Sequence, residues 1–123
     1  MPLNTQTQSS NSVVIKSVDR PAIEAAVETY VDRLLDENPE IIGVIWFGSW
    51  ITGLPSPGSD VDLCLVLSTA NKPRRDRVSE YLPVGFPVGL DLFPYTMSEL
   101  EQLRQESPEW YREIMSGRKV RWL

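Results

Sequence analysis

The chain has 123 residues, enough for one compact domain and too few for two ordinary ones. Its composition is that of a globular protein able to bury a core, 41% hydrophobic and 24% charged, and its net charge of −5 argues against a protein that coats nucleic acid. One cysteine, Cys64, and no histidine rule out an internal disulfide and the Ser-His and Cys-His nucleophile pairs, and leave no Cys- or His-based zinc site to expect. Catalysis must therefore run on carboxylates, hydroxyls, amines, backbone amides or a bound metal. The acidic balance still admits a nucleotide, because a divalent cation reverses the local sign.

Residues 1–18 are polar at first, rich in Asn, Gln, Ser and Thr, and are expected as a flexible segment ahead of a single domain over 19–123. Val13-Val14-Ile15 within it is readable as an edge strand or as a packed lead-in. No secretory leader is apparent, and the apolar run Ile41 to Phe47 is too short to span a bilayer, so a cytoplasmic protein is expected. Asp19-Arg20-Pro21 opens a helix, with Ile23, Val27, Tyr30, Val31, Leu34 and Leu35 on one face, and Asn38-Pro39 stops it. Ile41 to Phe47 is apolar on both faces, as in a central strand. A turn and loop punctuated by Gly53, Pro55, Pro57 and Gly58 leads to a second strand, Val61 to Leu67. Asn71 to Glu80 is polar with Pro73 near a short helix start, and its basic run Lys72 to Arg77 reads as a solvated loop. Phe86 to Phe93 is predicted as a third strand. Thr96-Met97-Ser98-Glu99 is a capping box opening a helix with Leu100 and Leu103 inward. Ser107-Pro108 starts another, with Trp110 and Ile114 inward and Gly117 at its end, and Val120 to Leu123 can close a short final strand. The fold class is α/β (α+β), one small mixed sheet flanked by helices.

The chemistry gathers around Asp60 and Asp62. Side chains alternate along a strand, so both project to one face while Val61, Leu63, Leu65 and Leu67 take the other. Two carboxylates at the mouth of an apolar strand repel each other and lose hydration, and a cation between them relieves both penalties. Carboxylate oxygens are hard donors suited to magnesium, with manganese as a substitute. Asp91 is a lone acid in the apolar run Val88 to Phe93; beside the second strand it would complete a cluster able to hold two metals roughly 3.5–4 Å apart, as used for in-line displacement at phosphorus. Gly48 lets backbone approach a ligand closely, and Ser49 offers a hydroxyl and the backbone N–H groups of a following turn. Each residue also has a plainer reading. A Ser-Asp pair is common at a strand start, Asp91 can face water at an edge, Ser49 can cap the next helix, and Ser59 is as readily a turn residue as a ligand contact. Cys64 follows the Asp face inward and reads as core; Trp46, Trp50, Trp110 and Trp122 read as core or interface. Trp50, beside the Gly-Ser turn, is also placed to line a nucleotide pocket or a partner surface.

Gly48-Ser49, three residues, Gly53, five residues, then Ser59-Asp60-Val61-Asp62-Leu63 resembles the signature of the polymerase-β-type nucleotidyltransferases. The short length and the run Gly89 to Thr96 resemble the minimal nucleotidyltransferases (MNT domains) within that superfamily, some of which are antitoxins paired with a helical HEPN-type toxin. The resemblance implies a nucleotidyltransferase fold and magnesium-dependent transfer of a nucleoside monophosphate, commonly AMP from ATP, onto a hydroxyl of a protein or small molecule. It implies Asp60, Asp62 and Asp91 as metal-binding and catalytic residues, with Asp91 helping to deprotonate the acceptor, and Gly48, Ser49 and Ser59 as nucleotide contacts. Many relatives carry an Arg directly after Gly-Ser, where this chain has Trp50-Ile51-Thr52. That departure leaves a second reading open, a catalytically weak or inactive module that acts by binding a partner. Direct nucleic-acid binding is not expected. A chain this small leaves one side of the cleft open, which a helical partner or a second copy would complete.

Overall fold

The computed structural model describes residues 19–56 and 58–123, so the expectations for 1–18, including the Val13-Val14-Ile15 patch, lie outside the described residues. Helix α1 (Arg20–Glu37) begins where the Asp19 side chain accepts a hydrogen bond from Ala22 N and Pro21 occupies the first turn, and ends at Asn38. Its buried residues are Ile23, Val27, Tyr30, Val31 and Leu34, the face read from their spacing. Strands β1 (Ile41–Phe47) and β2 (Val61–Leu67) have the expected bounds, with a four-residue helix α2 (Ser49–Thr52) in the connection between them. A 3-10 turn (Arg74–Asp76) and helix α3 (Val78–Tyr81) fill the crossover to β3 (Leu90–Thr96). Helix α4 (Met97–Glu106) carries the full capping box, α5 (Pro108–Met115) follows at once, and β4 (Arg118–Trp122) ends the chain's regular structure.

The sheet order is β3-β2-β1-β4, with β2 and β3 parallel and the other pairs antiparallel. It is covered on both faces. Val44 and Trp46 of β1 and Leu63, Leu65 and Leu67 of β2 pack on α1, whereas Ile45, Phe47, Cys64 and Val66 pack on Leu100 of α4 and Ile114 of α5. The period-two alternation thus feeds two cores rather than one, which is why both central strands read as continuous apolar runs. Phe47, Phe93 and Trp110 form a ring cluster with centroids 5.3–5.6 Å apart, and Trp110 Nε1 donates to the Tyr95 hydroxyl; together they seat α5 on the sheet. No helix among the described residues is long and apolar enough to cross a membrane.

Three expectations are corrected. The third strand begins at Leu90 rather than Phe86, because Gly85 (φ +80°), Pro87 and Gly89 interrupt the preceding run, and it continues through Pro94 to Thr96. Proline is tolerated there because β3 is an edge of the sheet. The last strand starts earlier, at Arg118, and pairs in register with Trp46. Within the basic run, Arg77 is not solvated: it is 6% exposed, and its guanidinium donates to both Glu99 carboxylate oxygens (2.7 and 3.0 Å) and to the Pro94 and Lys72 carbonyls. Buried charge is tolerated when it is paired and hydrogen-bonded, and here each guanidinium nitrogen has a partner. Glu99 is held at about 2 by the Arg77 bonds and by the Thr96 N–H of the capping box.

Candidate active site

The site lies where β1 ends and β2 begins. Gly48 follows Phe47 with φ +89°, a conformation that side chains rarely adopt. A Cβ at this position would also overlap the Asp62 carboxylate, with Cγ only 3.1 Å away. Glycine is thus required both by the turn and by the neighbouring acid. Ser49 is the first residue of α2 and exposed; the helix cap is Gly48, so Ser49 is not the cap. The Gly48 carbonyl accepts from Ile51 N and Thr52 N, which closes the turn.

Asp62 stands in register with Phe47 on one side and Asp91 on the other. It shares its sheet face with Cys64 and Val66, and Asp91 shares its face with Phe93, so both acids look toward the side covered by α5. Asp60 precedes β2 and is exposed, as is Asp91, whereas Asp62 is half-buried. Burial first, then the Asp91 and Asp60 carboxylates and Glu113 of α5, push Asp62 up to about 6. Glu113 is a fourth acid on this side that sequence reasoning missed. Its position on α5, one residue before the buried Ile114, is its only signal.

Gly89 was missed as well. Its carbonyl accepts from Val61 N at 2.9 Å, which starts the β2–β3 ladder, and a Cβ on it would overlap the Asp60 carboxylate, with Cγ 2.7 Å away. Two glycines, Gly48 and Gly89, therefore cradle two acids, Asp62 and Asp60. Ser59 is half-buried: its hydroxyl lies 3.2 Å from Ser56 Oγ and its carbonyl accepts from Trp50 Nε1 at 2.9 Å. Trp50 is 3% exposed and belongs to the α1-side core, so its ring does not line a surface pocket. Arg20 donates to the Trp50 carbonyl at 2.9 Å, its guanidinium 5.2 Å from the ring centroid.

Two cations of the basic run stand away from the acids. Lys72 pairs with Glu80, and Arg74 lies over Tyr95, whose register partner is Val66. That level is roughly 13 Å along β2 from Asp62. A surface cavity of about 260 Å³ lined by Glu40, Lys72 and Tyr81 is also at that far end and is remote from the acids. Among the described residues no three acidic or cysteine side chains are gathered tightly enough to hold a metal ion. The donor set itself is all carboxylate oxygen, which suits a hard divalent cation, and the crowding that raises Asp62 is the penalty such a cation relieves.

Comparison with known proteins follows this geometry. No curated protein matches the sequence. A crystal structure at 1.40 Å of a protein from Sulfolobus solfataricus, proposed to be a nucleotidyltransferase, superposes with a TM-score of 0.55 at 20% identity, over 68% of this chain and 75% of that one. This likeness establishes a nucleotidyltransferase fold. The family described as "Poly(A) RNA polymerase, mitochondrial-like, central palm domain" matches residues 4–107, a span that holds Gly48, Asp60, Asp62 and Asp91. With a four-stranded mixed sheet, a Gly-Ser turn and an acid row at its mouth, the chain belongs to this family of nucleotidyltransferase palm domains.

Proposed function

We propose that this chain is a divalent-cation-dependent nucleotidyltransferase that moves AMP from ATP onto a hydroxyl of a protein or small molecule. The observation that carries the reading is the acid row: Asp62 and Asp91 in register on parallel strands, with glycines at 48 and 89 leaving room for Asp62 and Asp60. In this reading Asp60 and Asp62 hold Mg2+, or Mn2+ in its place, and Asp91 completes the set. The cation, when bound, supplies positive charge against the phosphate oxygens. Gly48 and Ser49 lie against the triphosphate, and Ser59, engaged with Ser56, shapes the loop. The acceptor oxygen forms a bond to the α-phosphorus, the bond to the bridging oxygen breaks and pyrophosphate leaves. The acceptor's proton passes to the Asp91 carboxylate, which is exposed and so open to an incoming hydroxyl.

The family's name concerns RNA tailing, which makes an RNA 3′-hydroxyl one acceptor to test. The net charge of −5 and four acids around the site disfavour a long phosphate track. A protein hydroxyl, such as one on a helical HEPN-type partner, fits the acidic surroundings better. One observation favours the second reading, a binding module: the residue after Gly-Ser is a buried Trp, which places no cation in the site. The test uses ATP labelled at the α-phosphate, with Mg2+ or Mn2+, against short RNA, candidate protein partners and small hydroxylated acceptors, alongside D60N and D62N. Transfer that disappears in both variants supports the enzyme. No transfer to any acceptor, with partner binding unchanged in the variants, refutes it in favour of the binding module.

A further inference from the structure

Trp50 is attached to three separate parts of the molecule. Its ring is buried against Trp46, with centroids 6.5 Å apart. Its Nε1 donates to the carbonyl of Ser59, the residue before Asp60. Its own carbonyl accepts from Arg20. That carbonyl needs an outside donor because α2 ends at Thr52, too early to supply an in-helix partner from residue 54. Among the described residues the loop it spans is otherwise held by local bonds, Gly53 N to the Ser49 carbonyl and Ser59 N and Oγ to Ser56, while Leu54 is 98% exposed. Arg20 is fixed in turn. It sits in the first turn of α1, about one turn from Glu24, which pairs with Arg118 of β4. The Arg118 guanidinium lies 5.1 Å from the Trp46 ring, so the Arg20–Trp50–Trp46–Arg118 stack runs behind the Gly-Ser turn.

We infer that Arg20 and Trp50 are positioning residues that fix the Gly48-Ser49 turn relative to Asp60. The inference rests on the nucleotidyltransferase reading above. Arg20 works through the backbone of Trp50, and Trp50 works through the backbone of Ser59; neither touches the acids. The two links differ in what they hold. Loss of the indole donor frees Ser59 and with it Asp60, while the aromatic ring stays in the core. Loss of Arg20 frees the turn and leaves the Ser59 bracket in place.

The test measures Mn2+ binding by electron paramagnetic resonance and MgATP binding by calorimetry on the full chain. Trp50→Phe keeps a buried ring and removes the donor; it should weaken Mn2+ binding about tenfold. Arg20→Ala should weaken MgATP binding about tenfold with Mn2+ affinity within about twofold, and Arg20→Lys, which still donates to the carbonyl, should restore most of the loss. Arg121→Ala is the control for mere stability, because it breaks contacts of the same helix away from the turn. It should lower the melting temperature and leave both affinities unchanged. Affinities within about twofold of the unmodified chain in Trp50→Phe and Arg20→Ala, or losses matched by Arg121→Ala, overturn the inference. Trp50→Phe decides the matter alone if Arg20→Ala does not fold. An unmodified chain that binds neither Mn2+ nor MgATP overturns the function itself, and this inference with it.

Discussion

Replacing Gly89 by alanine adds one carbon atom, and the structure places that carbon 2.7 Å from Asp60 Cγ. Carbon–carbon contacts sit near 3.5–4.0 Å, so the carboxylate must retreat by about 1 Å. Asp60 is exposed and can swing away, and Gly89 does not occupy the left-handed region, so the backbone accommodates alanine. Fold stability should change little, and the smaller entropy of the unfolded chain offsets part of any strain, by roughly 0.4–1 kcal/mol. Function should not be spared. Metal ligands tolerate deviations of roughly 0.2 Å, and a misplacement of about 1 Å costs on the order of a hundredfold in rate. Gly89→Ala should therefore melt within a few degrees of the unmodified chain, while Mn2+ affinity falls at least tenfold and label transfer from ATP about a hundredfold. The assays are thermal denaturation, electron paramagnetic resonance of Mn2+ and transfer from α-labelled ATP. Unchanged Mn2+ binding in a folded Gly89→Ala protein would refute the reasoning, since Asp60 would then be displaced without consequence or not be a ligand.

Three further outcomes are expected. Asp62→Asn removes the half-buried member of the acid row, so it should abolish Mn2+ binding while raising stability by roughly 0.5–2 kcal/mol at neutral pH, read by urea denaturation without metal. Glu99 falls from the ordinary 4.5 to about 2 on folding, so its contribution, on the order of 3 kcal/mol, is fully present above pH 4.5 and is lost as pH falls toward 2. Denaturation of the unmodified chain and Glu99→Gln from pH 6 to pH 2 should show their stability gap closing across that window; a constant gap would count against the ion pair. Ile114→Ala empties a fully buried position under α5 and should cost about 2–5 kcal/mol in guanidinium denaturation.

How much of this was legible beforehand varied with the range of the forces involved. The bounds of α1 and the capping box of α4 rest on local signals, Asp19-Arg20-Pro21 and Thr96 to Glu99, and they appear as read. β1 and β2 were legible because two-sided burial leaves an unbroken apolar run. Asp62 and Asp91 were singled out as acids in apolar strands, but their register depends on long-range pairing that no local pattern encodes. Arg77 was hidden because its partner, Glu99, is 22 residues away and the surrounding run is basic. Trp50 reads as core or interface, with a pocket or partner surface as the further possibility beside Gly48 and Ser49; it is core, and its partners Arg20 and Ser59 come from elsewhere in the fold. Gly89 carries no local signal, since its purpose is the space it leaves for another side chain.

Among the described residues, the two outer strands of the sheet have a consequence for self-association. β3 carries Pro94, which has no N–H to offer a newcomer, and β4 carries Arg118, Lys119 and Arg121 among its five residues. Unpaired edges invite other chains to add strands, and proline and clustered like charge are the usual deterrents. Copies of this protein are therefore discouraged from joining sheet to sheet through these two strands. Pairing of these strands with a second copy is thus a disfavoured way to complete the cleft.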